Sequence, residues 1–403
     1  MRILWFAKDA PFVNSGYGKC CNEICTRLNK LGHDIAVFAT VGNRSSSFFE
    51  WNGLKIYPGY EDVYGEDIIY DHYMDWKAEL LITQLDIWPM KKIHELSKSG
   101  LINWLPYAPI DSLLPCPDIT ERLKFAVHTV TMCKWGKEQL DNQNIPATSV
   151  HHGINSNVYR ILKESKGKLK LELGFPEDCF LIGMVQANQF TRKAIEEQLK
   201  GIAIFKEKHP QIDIRLYFHT QPNRIDSFHL PSLVQILGLK EIVKFQSDYL
   251  GIKGFTENHM ARIYNSLDVL LSATNGEGFG LPVIEAQGCG IPVIATDCMS
   301  FPELLLAGAL CKVKTWFTTP TLLTKAMPDE TDIAEKLWLV YNTEYNRREI
   351  QDMAHYLWDW NSRIIQEWMI LLDEIKEKLV KSCTQIPRPS KHTIEMAKSI
   401  VEY

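Results

Sequence analysis

The sequence predicts an α/β protein made of two parallel-sheet units. Three observations carry this: apolar strand-length runs alternate with helix-spaced segments, the alternation occurs twice, and a Gly/Asn turn followed by a charged stretch separates the two courses. In the first course the strand candidates are Arg2 to Ala7, Asp34 to Thr40, Leu54 to Tyr57, Leu80 to Leu85, Asn103 to Tyr107 and Val127 to Met132. Between the first two, Cys21, Ile24, Cys25, Leu28 and Leu31 share one helical face, and Gly32 closes the helix. The second course runs through Phe180 to Val185, Ile212 to Phe218, Ile242 to Phe245, Asp268 to Ser272 and Pro292 to Thr296. Helices are expected over Ile195 to Lys208, Leu230 to Leu237 and Glu257 to Leu267. The turn is Ser149-Val-His-His-Gly-Ile-Asn-Ser-Asn-Val-Tyr159, and the charged stretch runs from Lys163 to Lys170.

Composition bounds the function. A chain of 403 residues, 45% hydrophobic and 23% charged, is long enough for two cores. No run of 18 apolar residues occurs, and the charged N-terminus does not read as a signal peptide, so a soluble, cytoplasmic protein is expected, without stable membrane insertion. Ten cysteines form no metal-ligand pattern and read as reduced thiols. A formal charge of −5 gives no general attraction to nucleic acid or acidic lipid.

The richest stretch is Asn275-Gly-Glu-Gly-Phe-Gly-Leu-Pro-Val-Ile-Glu285. A buried strand, Asp268 to Ser272, precedes it, and Leu281 to Gly288 reads as a helix with Pro282 in its first turn, where the missing N–H costs little. Glycines at 276, 278 and 280 let backbone N–H groups approach an anion at the helix start. Glu277 then faces a ligand from the loop, and Glu285, further into the helix, offers a second hydroxyl acceptor. The plain alternative is a loop acid, a solvated helix acid and an ordinary turn.

Over Glu277-Gly-Phe-Gly-Leu-Pro-Val-Ile-Glu285 the chain resembles the E-x7-E signature of the GT-B glycosyltransferases of family GT4. The likeness continues through Ala286 to Ala295 and Pro302-Glu303. His152-Gly-Ile-Asn-x-x-x-Tyr159 resembles that family's hinge, and Cys133 to Leu140 its approach to the hinge. Tyr356-Leu-Trp-Asp-Trp-Asn361 is similar to the start of the helix that crosses back to the first domain.

The resemblance implies two Rossmann-like domains facing a cleft: 1–160 on the acceptor side, 161–355 for the donor, a crossover helix over 356–380 and a tail over 381–403. It implies a retaining transferase moving a hexose from a nucleotide diphosphate sugar, UDP- or GDP-linked, to an unidentified hydroxyl acceptor. In that frame Glu277 meets the sugar hydroxyls, the backbone of Gly278, Phe279, Gly280 and Leu281 meets sugar and phosphate, and Glu285 meets the ribose. Arg192 and Lys193 offset the leaving diphosphate, with Asn188 in the same donor-side turn. The family carries an Arg and a Lys about five residues apart here, whereas aligning the strand puts Ala187 at the Arg and Arg192 at the Lys; a surface charge pair is the competing reading. Gly16 and Gly18, in Asn14-Ser-Gly-Tyr-Gly18, stand where the family has a glycine loop against the donor phosphate, and alone they are a turn. Asp111 occupies the region of a family His that touches the transferred sugar; contact with sugar or acceptor and capping of the next loop weigh equally. Asp86 and Trp88 read either as an acceptor platform or as cover for the domain edge.

No cofactor and no metal are called for, since an Asp-x-Asp motif is absent. A nucleotide-sugar-binding protein or a GT-B epimerase would keep the same donor motifs and stays open. Among acceptors, modified bases of viral DNA are disfavoured by the acidic pI of about 6.2, and a membrane-held lipid by the missing basic amphipathic helices.

Overall fold

The computed structural model describes residues 1–45, 47–113, 116–190, 192–223, 227–247 and 254–383. Thr191, in the expected cation-bearing turn, and the expected tail from residue 384 onward lie outside the described residues.

The chain forms two compact units. The first holds an eight-stranded sheet in the order β3-β4-β2-β1-β5-β6-β7-β8. Its strands are β1 Arg2–Asp9, β2 Asp34–Val41, β3 Phe49–Trp51, β4 Leu54–Tyr57, β5 Leu80–Gln84, β6 Trp104–Ala108, β7 Thr129–Thr131 and β8 Ala147–Ser149. All neighbours are parallel except the edge pair β3–β4. Strands β1, β5 and β6 are buried along nearly their whole length, as a parallel sheet covered on both faces requires. The expected helix is Gly16–Lys30 with Cys21, Ile24, Cys25 and Leu28 inward.

The second unit carries a six-stranded parallel sheet in the order β11-β10-β9-β12-β13-β14. Its strands are β9 Phe180–Val185, β10 Ile214–His219, β11 Val243–Phe245, β12 Val269–Ser272, β13 Val293–Thr296 and β14 Gly308–Cys311. One core gathers Ile182, Met184, Leu199, Ile202, Phe205, Leu216, Phe218, Val269 and Leu337, among others. An antiparallel hairpin, β15 Val313–Thr318 and β16 Thr324–Pro328, is an addition that the alternation of strands and helices did not announce. Both mixed α/β units are thus built on parallel sheets, as the sequence predicts.

Two differences concern the return of the chain. Residues 152–160, expected with the first unit, pack with the second: Ile154 and Tyr159 crowd Gly288, where a Cβ would lie 2.7 Å from the Ile154 side chain and 3.1 Å from the Tyr159 carbonyl. The helix expected to begin at Tyr356 is two helices. Arg347–Trp358 ends where Asp359 becomes extended, because Ile154 N–H donates to Trp358 C=O (2.7 Å) and Trp360 N–H to Ile154 C=O (3.2 Å). Asp359 then caps a π-turn, Trp360–Ile364, by accepting from Asn361 N–H and Ser362 N–H. The following helix, Ile365–Cys383, packs in the first unit, its Trp368 ring 5.4 Å from Trp5 and 5.0 Å from Tyr107.

Candidate active site

In an open parallel sheet, ligands bind outside the carboxyl ends of the strands at the point where strand order reverses. In the second unit that point lies between β9 and β12. The loop after β9 carries Arg192 and Lys193, and the loop after β12 carries Glu277. Asn275 N–H donates to Arg192 C=O at 3.0 Å, tying one loop to the other. Gln198, fully buried, adds a second tie: its amide donates to Lys193 C=O (2.7 Å) and accepts from Ala273 N–H (3.1 Å). Ala194, between Lys193 and the helix, sits in the left-handed region at φ 44°, a conformation held by these surroundings.

The result is a compact charge cluster. Arg192 Nη1 lies 2.7 Å from Glu277 Oε2, and Lys193 Nζ pairs with Glu277 Oε1. The Lys193 and Glu277 side chains are each 12% exposed and Arg192 34%. Lys325, on β16, pairs with Asp111 Oδ2 at 2.7 Å. Burial would raise the Glu277 carboxyl, but Arg192 and Lys193, with help from Lys325, outweigh it and hold it below the usual carboxylate range. Burial, then the neighbouring Arg192 charge, lowers Lys193 to about 8 against the pull of Glu277 and Asp111.

That value gives a pH dependence. An incoming anion favours the charged lysine, so its affinity is full below pH 8 and falls by up to about tenfold per pH unit above it, as Lys193 loses its proton in the free protein. Binding near pH 8.5 is therefore expected to take up a proton. Calorimetry of nucleoside diphosphate binding in buffers of different ionisation heat measures this, and Lys193→Met is expected to flatten the profile.

The helix Leu281–Gly288 starts at Gly280, φ 122°, with no side-chain cap, so its first-turn N–H groups present a positive end at the loop. Gly276, φ 140°, is close-packed: a Cβ would fall 2.2 Å from Met299 Sδ. Ser300, buried, donates its hydroxyl to the Glu277 and Phe279 carbonyls and fixes the arc of Gly278 and Phe279. Phe279 stands edge-on to His152, centroids 5.0 Å apart. Glu285, also buried, accepts from Tyr264 Oη at 2.7 Å and is hydrogen-bonded to Tyr159; its carboxylate is oriented by two tyrosines.

The structure thus brings Arg192, Lys193, Glu277, Gly278, Phe279, Gly280 and Asp111 into one neighbourhood. Asn188, in the same turn, is buried, donates to Gln221 C=O and Phe228 C=O and accepts from Ser227 Oγ, so its amide staples a loop. Gly18 has a packing reason of its own in the first unit, since a Cβ would meet Val13 C=O at 2.2 Å, and Gly16 opens the helix behind Ser15, whose hydroxyl accepts from Gly18 N–H. Sequence reasoning missed Lys325, Ser300, Gln198 and the Tyr159–Tyr264 pair. A lone lysine after a threonine-rich run carried no signal.

Among the described residues no three His, Cys, Asp or Glu side chains gather to hold a metal ion, and no helix is long and apolar enough to cross a membrane.

Residues 179–338 match a family model described as "Glycosyl transferases group 1". Over these residues, about two fifths of the chain, the sequence is similar to the glycosyl transferases group 1. The segment covers β9 to the helix after β16, and so includes every member of the charge cluster except Asp111. Curated relatives include the O-antigen biosynthesis glycosyltransferase WclY of Escherichia coli, 27% identical over 197 residues, 49% of this chain and 50% of that protein. The D-inositol 3-phosphate glycosyltransferase of Streptomyces bingchenggensis is 27% identical over 169 residues, 40% of this chain and 34% of that one. The chain therefore spans half or less of the length of these two relatives. Among solved structures, Anabaena HepE in complex with UDP and glucose superposes with a TM-score of 0.68 at 15% identity, covering 93% of this chain and 100% of that one. Sucrose-phosphate synthase of Thermosynechococcus elongatus gives 0.70 at 13% identity, covering 94% and 100%. These likenesses show a GT-B fold over nearly the whole chain.

Proposed function

We propose that this chain is a retaining glycosyltransferase that moves a hexose from a nucleoside diphosphate sugar to a hydroxyl acceptor. The observation that carries the reading is Glu277 held between Arg192 and Lys193 at the uncapped start of the Leu281–Gly288 helix. Such a site offers two cations and a helix dipole to a diphosphate and one carboxylate to sugar hydroxyls. In the free protein the carboxylate occupies the cations. A bound diphosphate takes them over, and Glu277 turns its oxygens to the sugar. Glu285, aligned by Tyr264, accepts from the ribose hydroxyls. As the glycosidic bond to phosphate breaks, negative charge grows on the diphosphate, where Arg192, Lys193 and the helix N–H groups stabilise it. The departing phosphate oxygen accepts the proton of the acceptor hydroxyl attacking the same face, so the anomeric configuration is kept and no covalent sugar–enzyme bond forms.

HepE's complexes with UDP and with UDP-glucose make UDP-sugars the first donors to test. The experiment is a screen of UDP, GDP, ADP and their sugars for thermal stabilisation, since a ligand that prefers the native state raises its stability by mass action. It is followed by measurement of nucleoside diphosphate release with and without acceptors. Stabilisation by one nucleoside diphosphate and slow release from its sugar support transfer. Binding without release from any sugar, with any acceptor or water, reduces the chain to a sugar-nucleotide binder, and conversion of one nucleotide sugar to another marks an epimerase.

A further inference from the structure

The hairpin β15–β16 sits against the site in a way the transferase reading leaves unexplained. Strand β16 is bonded on both sides of Lys325: Leu113 N–H donates to Thr324 C=O (3.0 Å), and Ala326 N–H donates to Asn275 C=O (3.0 Å). One residue of β16 thereby meets the segment after β6, and another meets the loop that bears Glu277. Between them Lys325, its side chain 4% exposed, sends Nζ to both the carboxylate and the carbonyl of Asp111. The same carbonyl lies 3.4 Å from where a Cβ of Gly276 would be. Asp111 is therefore clamped beside the residue that precedes Glu277.

The two partners differ in access. Lys325 is enclosed, and its ion pair and its hydrogen bond both go to Asp111. Asp111 is one-quarter exposed, Lys325 takes its Oδ2, and among the described residues its Oδ1 has no partner. A buried lysine is a poor way to fasten a hairpin, because desolvation cancels much of the attraction, and an apolar pair of the same volume often does as well. Its use here fits a carboxylate that must stay aimed.

We propose that Lys325 is a positioning residue: it holds Asp111 beside the Glu277 loop so that the Asp111 carboxylate accepts a hydrogen bond from a hydroxyl of the transferred sugar. The inference rests on the transferase reading above. It assigns the hairpin a task in sugar recognition, separate from diphosphate binding.

The test uses the full chain and the nucleoside diphosphate and sugar donor that the screen identifies. Lys325→Met and, separately, Asp111→Asn are expected to lower kcat by about 30- to 100-fold, the cost of a misplaced contact. The Kd of the free nucleoside diphosphate is expected to change less than about threefold, which also reports that the variants fold, since RT ln of that factor is under 1 kcal/mol. The double variant is expected to lose no more than either single one. Asp111→Asn keeps size and an acceptor for Lys325, so it probes the contact if Lys325→Met unfolds. Wild-type kcat in Asp111→Asn overturns the proposal, and so does a Kd that weakens in step with kcat, which would make Lys325 part of the diphosphate site. Absence of turnover by the unaltered protein overturns the transferase reading and this proposal with it. Turnover by the unaltered protein with unchanged variants overturns only the proposal.

Discussion

Glu277→Gln is expected to slow transfer by about two to three powers of ten while nucleoside diphosphate binding is kept or strengthened. The carboxylate pairs with the Arg192 and Lys193 cations in the free protein, at 2.7 Å for Arg192, and on the proposed reading it turns to the sugar hydroxyls in the complex. Glutamine keeps the shape and removes the charge. Turnover suffers because a neutral amide is a weaker acceptor for hydroxyls whose bonds tighten as the oxocarbenium-like sugar forms. Diphosphate binding does not suffer, because the competitor for the two cations is gone. The free variant should be less stable, since an enclosed lysine and a partly exposed arginine lose their counter-charge; removing one partner of a buried pair costs about 3–5 kcal/mol, and the one-third exposure of Arg192 puts this case at or below the low end. Thermal unfolding reads all three: a lower Tm without ligand, and a larger upward shift than wild type on adding nucleoside diphosphate. A variant that transfers at the wild-type rate, or that loses diphosphate binding altogether, would remove Glu277 from the sugar.

The sequence made the donor half of this arrangement readable because its information is local. Glycines at 276 and 280 are needed where φ is 140° and 122°, and strand, loop and helix follow within twenty residues, so pattern and geometry coincide. Arg192 and Lys193 were legible by their place after β9. Their ion pairs with Glu277 were not, for those join residues about 85 apart. Asn188 shows the limit of a motif: the same side chain that a donor turn would offer is consumed by Ser227, Gln221 and Phe228. Lys325 was invisible because nothing in Thr-Leu-Leu-Thr-Lys-Ala-Met announces a hairpin, and its partner Asp111 lies 214 residues earlier. The break at Asp359 was hidden for a related reason, since helix-spaced apolar residues continue across it while the bridge to Ile154 interrupts the backbone.

Replacing Arg192 and Lys193 together by alanine is expected to slow turnover by about two to three powers of ten and, unlike Glu277→Gln, to weaken nucleoside diphosphate binding as well. On the proposed reading the two cations act on charge already present in the ground state and on charge that grows as the diphosphate departs, so both Kd and kcat respond. A second effect follows from the carboxylate left behind. In the wild type Glu277 titrates below its unfolded value, so it contributes stability above the unfolded carboxylate range, and that stability is lost as pH falls through its folded pKa. In the double variant only burial and the more distant Lys325 act on it, and burial, the larger influence, raises its pKa. The sign then reverses: the variant is best placed at low pH and loses stability as pH rises from about 4.5. The difference in unfolding free energy between wild type and variant should therefore widen between pH 4 and 7, read by denaturant titration at each pH. Slow turnover together with a widening gap assigns both cations to one enclosed cluster with Glu277. Slow turnover with a gap independent of pH would leave them diphosphate ligands but detach them from the carboxylate, and a near-normal rate would return them to the surface.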